Sequence, residues 1–126
     1  MGIYISLREE TFKMDANKKD KALAAIKKLC KKNKDYSWVE NDKVLDAKTF
    51  EEAMQEWRYP VSVDEKGNVC QIEFIGEKLG DEEELFKAIA PFVKRGSYLV
   101  MEIEQDFYKW AFDGKTFKEK CGHIEF

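Results

Sequence analysis

The last third of the chain constrains the fold most, because apolar and polar residues alternate there in three consecutive short runs. The runs cover 97–104, 107–112 and 115–120, and they are joined by Gln105-Asp106 and Asp113-Gly114. Alternation over four to eight residues is typical of a strand with one buried face. Both residues of Asp113-Gly114 tolerate positive φ, as a tight type I′ hairpin turn requires. The sequence therefore predicts a three-stranded antiparallel meander.

Earlier segments of the chain show strand or helix spacing of their apolar residues. A strand is predicted over 2–7 and a lysine-rich amphipathic helix over 15–34. A capping box at 49–52 starts a second helix that ends at Pro60, whereas 33–48 mixes turn formers with short apolar pairs and is expected to be mostly loop. The remaining predicted elements are a hairpin of 61–64 with 69–75 and a third helix that begins at Asp81.

These elements predict a single α+β domain over 1–126. Their order, β-α-α-β-β-α-β-β-β, favours a mainly antiparallel sheet of five or six strands with two or three helices packed on one face. The length of 126 residues suits one domain, and nine Phe, five Tyr and three Trp supply its core. No apolar run approaches the roughly 18–20 residues of a membrane span, and the N-terminus lacks a signal-peptide pattern. We therefore expect a cytoplasmic chain with no membrane partner.

Catalytic equipment is sparse in the sequence. The single histidine, His123, lies two positions from Cys121, so a strand would place both on one face, but a nucleophilic pair also needs an orienting third group. Cys30, Cys70 and Cys121 are widely spaced and form neither a C-x-x-C half-site nor a disulfide framework. Phosphate-loop, dinucleotide, zincin and nucleophile-elbow motifs are absent from the sequence. We expect no enzymatic activity, no metal and no cofactor.

Acidic residues on the predicted sheet provide the leading functional hypothesis. Glu102 and Glu104 share one face of a strand about 6–7 Å apart, a separation that would also suit a catalytic carboxylate pair. An uncovered sheet face is expected to be polar, however, so fixed charge for a partner protein is the preferred interpretation. The candidate partner-binding residues are Glu73, Tyr98, Glu102, Glu104 and Asp106, with Tyr98 as an aromatic anchor and a basic protein as the expected partner.

Lysine is concentrated in the helix over 18–34, and this concentration supports an alternative function. Its ammonium groups suit phosphate neutralisation, and an aromatic residue just beyond the helix suits base stacking. The helix has no arginine for bidentate base readout, and the net charge of the chain is −3, so a solvated helix face is the commoner explanation. The candidate nucleic-acid-binding residues are Lys27, Lys28, Lys31, Lys32 and Trp38.

A sequence resemblance covers about thirty residues near the C-terminus. Residues 85–93 are followed by Gly96-Ser97-Tyr98-Leu99 and then by Trp110-Ala111-Phe112-Asp113-Gly114. In this pattern the chain resembles the C-terminal part of small uncharacterised proteins encoded by bacteriophages and mobile elements. The resemblance implies an accessory cytoplasmic protein and supplies no catalytic or binding residue. A non-enzymatic module that inhibits or neutralises a host or rival protein is consistent with such a role.

Overall fold

The computed structural model describes residues 3–122, with side chains described through residue 120. The helices and strands follow one another along the chain in one α+β order. They are β1 Ile5–Thr11, α1 Lys19–Lys32 after a 3₁₀ turn at Ala16–Lys18, α2 Asn41–Asp46, α3 Phe50–Glu56, β2 Val61–Val63, β3 Val69–Ile72, α4 Glu82–Ile89 with a 3₁₀ turn at Ala90–Phe92, β4 Tyr98–Ile103, β5 Asp106–Phe112 and β6 Phe117–Gly122. Among these described helices, none combines the length and the apolar character needed to cross a membrane.

The α+β class and the antiparallel pairing are confirmed, and the six described strands are divided between two sheets. The larger sheet has the order β1-β4-β5-β6, and β2 and β3 form a separate hairpin. Where β1 approaches β3, the Glu10 carboxylate accepts a hydrogen bond from the Ile72 N–H at 3.0 Å. An isolated bridge between Met14 and Val69 is the nearby backbone pairing. Here a side chain of β1, and not its backbone, bonds to the β3 backbone. The two sheets are therefore not joined by a continuous ladder of backbone hydrogen bonds.

The prediction of loop over 33–48 was wrong for the six residues of α2. Asn41, the first residue of α2, donates its side-chain N–H groups to the carbonyls of Cys30 and Asn33, both at 2.9 Å. These carbonyls lie at the C-terminal end of α1, where the final acceptors have no partner within the helix. Val44 of α2 is fully buried. Tertiary contacts rather than local propensity therefore form α2, and they bring the helix count of the described residues to four.

The core lies between the helices and one face of the larger sheet. Phe86 of α4 has its ring centroid 5.7 Å from Trp110, 5.9 Å from Phe117 and 5.0 Å from Tyr59. Leu99 is opposite Trp110 in the β4–β5 register, so both point to the same face. The opposite face therefore points away from α4. The predicted packing of helices on one face of the sheet fits this arrangement.

Replacing Phe86 by alanine tests the packing of α4. We expect Phe86→Ala to lower the free energy of unfolding by about 3–5 kcal/mol, because it leaves a cavity among four aromatic rings. Urea unfolding followed by circular dichroism measures the change. Lys87→Ala is the control, since Lys87 is exposed and forms a salt bridge with Glu83 on the same helix, and its effect should stay within about 0.5 kcal/mol. Equal losses in the two variants would contradict the packing described.

Candidate functional site

Residues 75–80, between β3 and α4, run antiparallel to the chain just before β1. The Ile5 N–H donates to the Glu77 carbonyl at 2.9 Å, and the Leu79 N–H donates to the Ile3 carbonyl at 2.7 Å. Tyr4 and Lys78 form an isolated bridge between these two bonds. The 75–80 segment therefore adds a short edge to the sheet beside the N-terminal end of β1. Gly76 and Glu77 of this segment line one hollow together with Glu104 and Gln105 of the β4–β5 turn.

Two neighbouring hollows border the 75–80 segment, and we call them together the groove. The first hollow has a volume of about 700 Å³ and the second about 360 Å³. Gly76 and Glu77 line both hollows. The first is otherwise lined by Tyr4, Ile5, Ser6, Glu102, Glu104 and Gln105, and the second by Trp38, Arg58 and Lys78.

The first hollow is anionic and carries an exposed aromatic ring. Its carboxylates are those of Glu77, Glu102 and Glu104. Glu102 pairs with Arg8 at 3.5 Å on the protein surface, where solvent weakens such a pair. Tyr4 is 64% exposed, and the Lys78 ammonium lies 5.1 Å from the centre of its ring. Carboxylates beside an aromatic face are the groups that bind a cationic side chain.

Exposed apolar side chains are also concentrated at the groove. Five large hydrophobic residues are exposed among the described residues. Four of the five lie in or beside the groove or the 75–80 segment, and only Val63 lies elsewhere. These four are Ile3, Tyr4, Trp38 and Ile75. An apolar patch of this kind beside polar groups is typical of an interaction site.

Unfavourable backbone conformations occur at the same place. Within residues 3–122, four residues other than glycine have positive φ: Trp38 at 66°, Arg58 at 73°, Glu104 at 50° and Gln105 at 73°. Each conformation of this kind costs an L-residue about 1–2 kcal/mol. All four residues line the groove. Strain that persists in a folded chain is commonly found at functional sites.

The turn between β4 and β5 differs from the prediction. Ile103 pairs with Asp106, so the turn residues are Glu104 and Gln105, and both have the positive φ of a type I′ turn. The predicted type I′ turn at Asp113-Gly114 was wrong, because of these two residues only Gly114 has positive φ. There the Asp113 carboxylate accepts bonds from the N–H groups of the two residues that follow Gly114, which lowers the pKa of Asp113 to about 2.

Arg58 forms a fixed wall of the second hollow. Its guanidinium lies 5.7 Å from the Trp38 ring centre and 5.2 Å from the Phe74 ring centre. Nη1 donates to the Lys78 carbonyl at 2.8 Å, and Nη2 donates to Glu82 Oε1 at 3.2 Å. The guanidinium is thus held by two hydrogen bonds and two aromatic contacts.

Two glycines allow the chain to pass this close to Arg58. A Cβ at Gly76 would lie 2.7 Å from Arg58 Nη1, and a Cβ at Gly80 would lie 2.8 Å from Trp38 Cδ1. Both distances are shorter than normal van der Waals contacts. Any larger residue at either position would push the arginine or the tryptophan out of place.

Glu82 anchors this arrangement from inside the protein. Its side chain is only 2% exposed, although its position in the first turn of a helix is one where acids are usually solvated. It accepts hydrogen bonds from the Gly80 N–H at 2.6 Å and the Tyr59 hydroxyl at 3.1 Å, in addition to the bond from Arg58. Burial raises the pKa of Glu82 above its ordinary value, outweighing the opposite effect of Arg58. Burial and Glu82 together raise the pKa of Tyr59 far above its ordinary value.

The structure separates the five residues predicted for an acidic sheet face. Glu102 and Glu104 line the groove, whereas Asp106 is exposed at the start of β5 and Glu73 is exposed just after β3. Tyr98 is four residues from Glu102 along β4, about 13 Å away.

The surroundings of Tyr98 also differ from an acidic face. The Tyr98 hydroxyl donates to Glu9 at 2.7 Å, and the Lys109 ammonium lies 4.6 Å from its ring centre. Lys118 and Lys120 of β6 are paired in register with β5 residues of this same face, and both are exposed. The uncovered sheet face therefore carries mixed charge, and the role of the predicted residues outside the groove stays a prediction.

The residues of the lysine-helix alternative are also separated. Lys28, Lys31 and Lys32 are exposed on α1, and Lys27 is half-buried. Trp38, the fifth predicted residue, packs against Gly80 and Arg58 and belongs to the groove. Tyr4 and Arg58 were not identified as site residues from the sequence. The one signal in the sequence was the pair Gly76 and Gly80, which flanks residues 77–79 between a predicted strand and a predicted helix.

Cysteine, histidine and carboxylate groups are the other reactive side chains of the protein. Cys30 is buried, and burial raises the pKa of its thiol. Cys121 lies in β6, and His123 lies outside the described residues. Over the part of the chain that the structure describes, no three His, Cys, Asp or Glu side chains are grouped so that they could hold a metal ion.

Replacing Gln105 by glycine tests the strain in the β4–β5 turn. We expect Gln105→Gly to raise the free energy of unfolding by about 1 kcal/mol, because glycine adopts positive φ without steric cost. Urea unfolding measures the change. Gly114→Ala is the matched opposite, since Gly114 has φ of 95° and alanine there should lose a similar amount. Destabilisation by Gln105→Gly would show that the turn is not strained.

Replacing Glu82 by glutamine tests its burial. With its pKa raised above 4.5 in the folded chain, the stabilising contribution of Glu82 is full below about pH 4.5 and is lost as pH rises through the raised value. Glu82→Gln removes this dependence. The unfolding free energy of the variant minus that of the wild type should therefore increase as pH rises above 4.5. Urea unfolding at several pH values measures it, and a constant difference would contradict the raised pKa.

Comparison with known proteins adds no relative from which a role could be transferred. No protein-family model matches the chain, and neither a curated protein nor a solved structure matches it. The groove and the residues that line it are therefore the basis for assigning a function.

Proposed function

We propose that the chain is a non-enzymatic protein-binding module whose groove holds a basic segment of a partner protein. The observation that carries this proposal is that strained residues and exposed apolar side chains lie at the same place. All four strained residues other than glycine, and four of the five exposed large hydrophobic side chains in the described part of the chain, lie in or beside the groove. Backbone strain and exposed apolar side chains are each commonly found at functional and interaction sites.

The charge of the first hollow supports a basic partner. Glu77, Glu102 and Glu104 bring three carboxylates to one concave surface. Tyr4 adds an exposed ring that already has an ammonium group, that of Lys78, 5.1 Å from its centre. A lysine or arginine side chain entering the hollow meets the same chemistry. Complementary charge of this kind contributes to partner selection and to the rate of association.

The chemistry of the lining supports binding over catalysis. The described residues that line the groove include no cysteine and no histidine. A cysteine–histidine or serine–histidine pair, a common arrangement for covalent catalysis, is therefore absent from this described lining. An accessory role, in which the module inhibits or neutralises a host or rival protein in the cytoplasm, is the proposal that also fits the sequence resemblance.

A charge reversal in the first hollow tests this function. We expect Glu102→Lys combined with Glu104→Lys to weaken binding of a fluorescent peptide of alternating arginine and glycine by at least about tenfold, or about 1.4 kcal/mol. The physical reason is that two attractive contacts become repulsive. Fluorescence anisotropy at low salt measures the dissociation constant.

The control is Glu65→Lys combined with Asp20→Lys, which changes the net charge equally at exposed positions outside the groove. This variant should bind the peptide within about twofold of the wild type, since only long-range charge is altered. Equal weakening in both double variants would show that the peptide senses net charge and not the groove, and unchanged binding in the first variant would refute the proposed site.

A further inference from the structure

We infer that the second hollow binds a large apolar side chain, preferably aromatic, from the same basic segment. The groove then recognises a linear sequence with one cationic and one aromatic residue at a defined spacing. This inference rests on the proposed function, because the cationic residue occupies the first hollow. It adds a second contact point and a chemical class of ligand for that point.

The second hollow is formed before any ligand arrives. Arg58 is fixed by its bonds to Lys78 and Glu82 and by its contacts with two aromatic rings. Gly76 and Gly80 leave the space that the guanidinium and the Trp38 ring occupy, since an added Cβ would lie 2.7 Å from Arg58 Nη1 or 2.8 Å from Trp38 Cδ1. The Ser37 N–H donates to the Asp81 carboxylate at 2.7 Å and ties the loop before Trp38 to the start of α4. A hollow built this way binds a ligand without first having to rearrange.

An apolar side chain suits this hollow better than a charged one. Glu82 already compensates the charge of Arg58, and both terminal nitrogens of Arg58 already donate hydrogen bonds. The Lys78 ammonium is directed at Tyr4. Besides Glu77, whose carboxylate also lines the first hollow, what remains open to a ligand is the surface of Trp38, which is 57% exposed. An exposed tryptophan on a rigid support is the usual kind of anchor in a protein interface.

The strand register gives the spacing between the two contact points. Ser6 is opposite Glu102 in the first hollow, and Tyr4 is opposite Lys78, which lines the second. Two residues along a strand cover about 6–7 Å, and Glu102 and Lys78 lie on opposite sides of residues 4–6, which adds about 10 Å across two strand spacings. An extended ligand that joins these two groups therefore carries its cationic and aromatic residues about three to four positions apart.

Fluorescence quenching of Trp38 tests the inference directly on the wild-type chain. Trp57 is 2% exposed and Trp110 is 3% exposed, so acrylamide in solution quenches mainly Trp38. The probes are two capped peptides of alternating arginine and glycine that differ only in a phenylalanine replacing one glycine. We expect the phenylalanine peptide to bind about tenfold more tightly and to protect Trp38 from acrylamide, whereas the glycine peptide leaves the quenching unchanged.

The matched variant is Trp38→Gly, because glycine adopts the φ of 66° at this position without strain. The variant should bind the glycine peptide as the wild type does and should lose the tenfold preference for phenylalanine. A preference that survives in this variant would place the aromatic side chain elsewhere and overturn the inference. If the variant does not fold, the protection of Trp38 in the wild type still decides the question.

The two proposals fail in different ways. Equal affinity for the two peptides, with unchanged quenching of Trp38, overturns the second contact point. The proposed function still holds in that case if binding depends on Glu102 and Glu104. Absence of binding by both peptides overturns both proposals.

Discussion

The buried carboxylate of Glu82 is the constraint on which the site depends. A carboxylate removed from water without partners costs several kcal/mol, and bonds from Arg58, Tyr59 and Gly80 offset part of that cost for Glu82. Those three partners come from the segment that follows α3 and from the 75–80 segment. One buried charge therefore joins α4 to two other parts of the chain. The positions of Trp38 and Lys78 follow, because both contact the Arg58 side chain that Glu82 holds.

The rigidity of the core allows the strain at the groove to persist. One aromatic ring of α4 packs against three rings of the sheet: Phe86 against Trp110, Phe112 and Phe117. Each of the four ring centroids lies within 6.0 Å of at least two of the others. Burial of several aromatic side chains stabilises a domain by more than the few kcal/mol that four left-handed residues cost. The β4–β5 turn is held by the same sheet, since Ile103 pairs with Asp106 at its base. The core thus imposes conformations that local preference would reject.

The elements whose signals are local could be predicted from the sequence, and those that depend on distant partners could not. The meander over 97–120 follows from alternation, and the capping box works as predicted, with the Thr49 hydroxyl accepting from the Glu52 N–H at 3.1 Å. Glu82, in contrast, looks like any acid in the first turn of a helix. Only the arrival of Arg58, 24 residues earlier in the chain, makes its burial possible.

The same distinction explains why half of the candidate site was missed. Glu102 is found from its own strand, because alternation places it near the surface, and Glu104 continues the same alternation although it lies in the turn after that strand. Tyr4 and Glu77 meet only because residues 3–5 bond to 77–79, and these paired segments are too short to show an alternating pattern. Two-residue turns usually contain glycine or asparagine, so Glu104 and Gln105 gave no turn signal. A turn built from residues that do not favour positive φ is therefore missed when prediction uses residue type alone.

In the proposed function, the free-energy cost of ordering the groove arises when the protein folds, and the cost of ordering the flexible ligand arises when it binds. A linear segment loses about 1–2 kcal/mol per ordered residue when it binds, so its affinity is low unless the receptor loses little. Here the receptor contributes its part before binding, since Arg58, Trp38, Glu104 and Gln105 are held in their unfavourable conformations in the free protein. In the proposed function, that arrangement lowers the stability of the free protein and raises its affinity for the segment it binds.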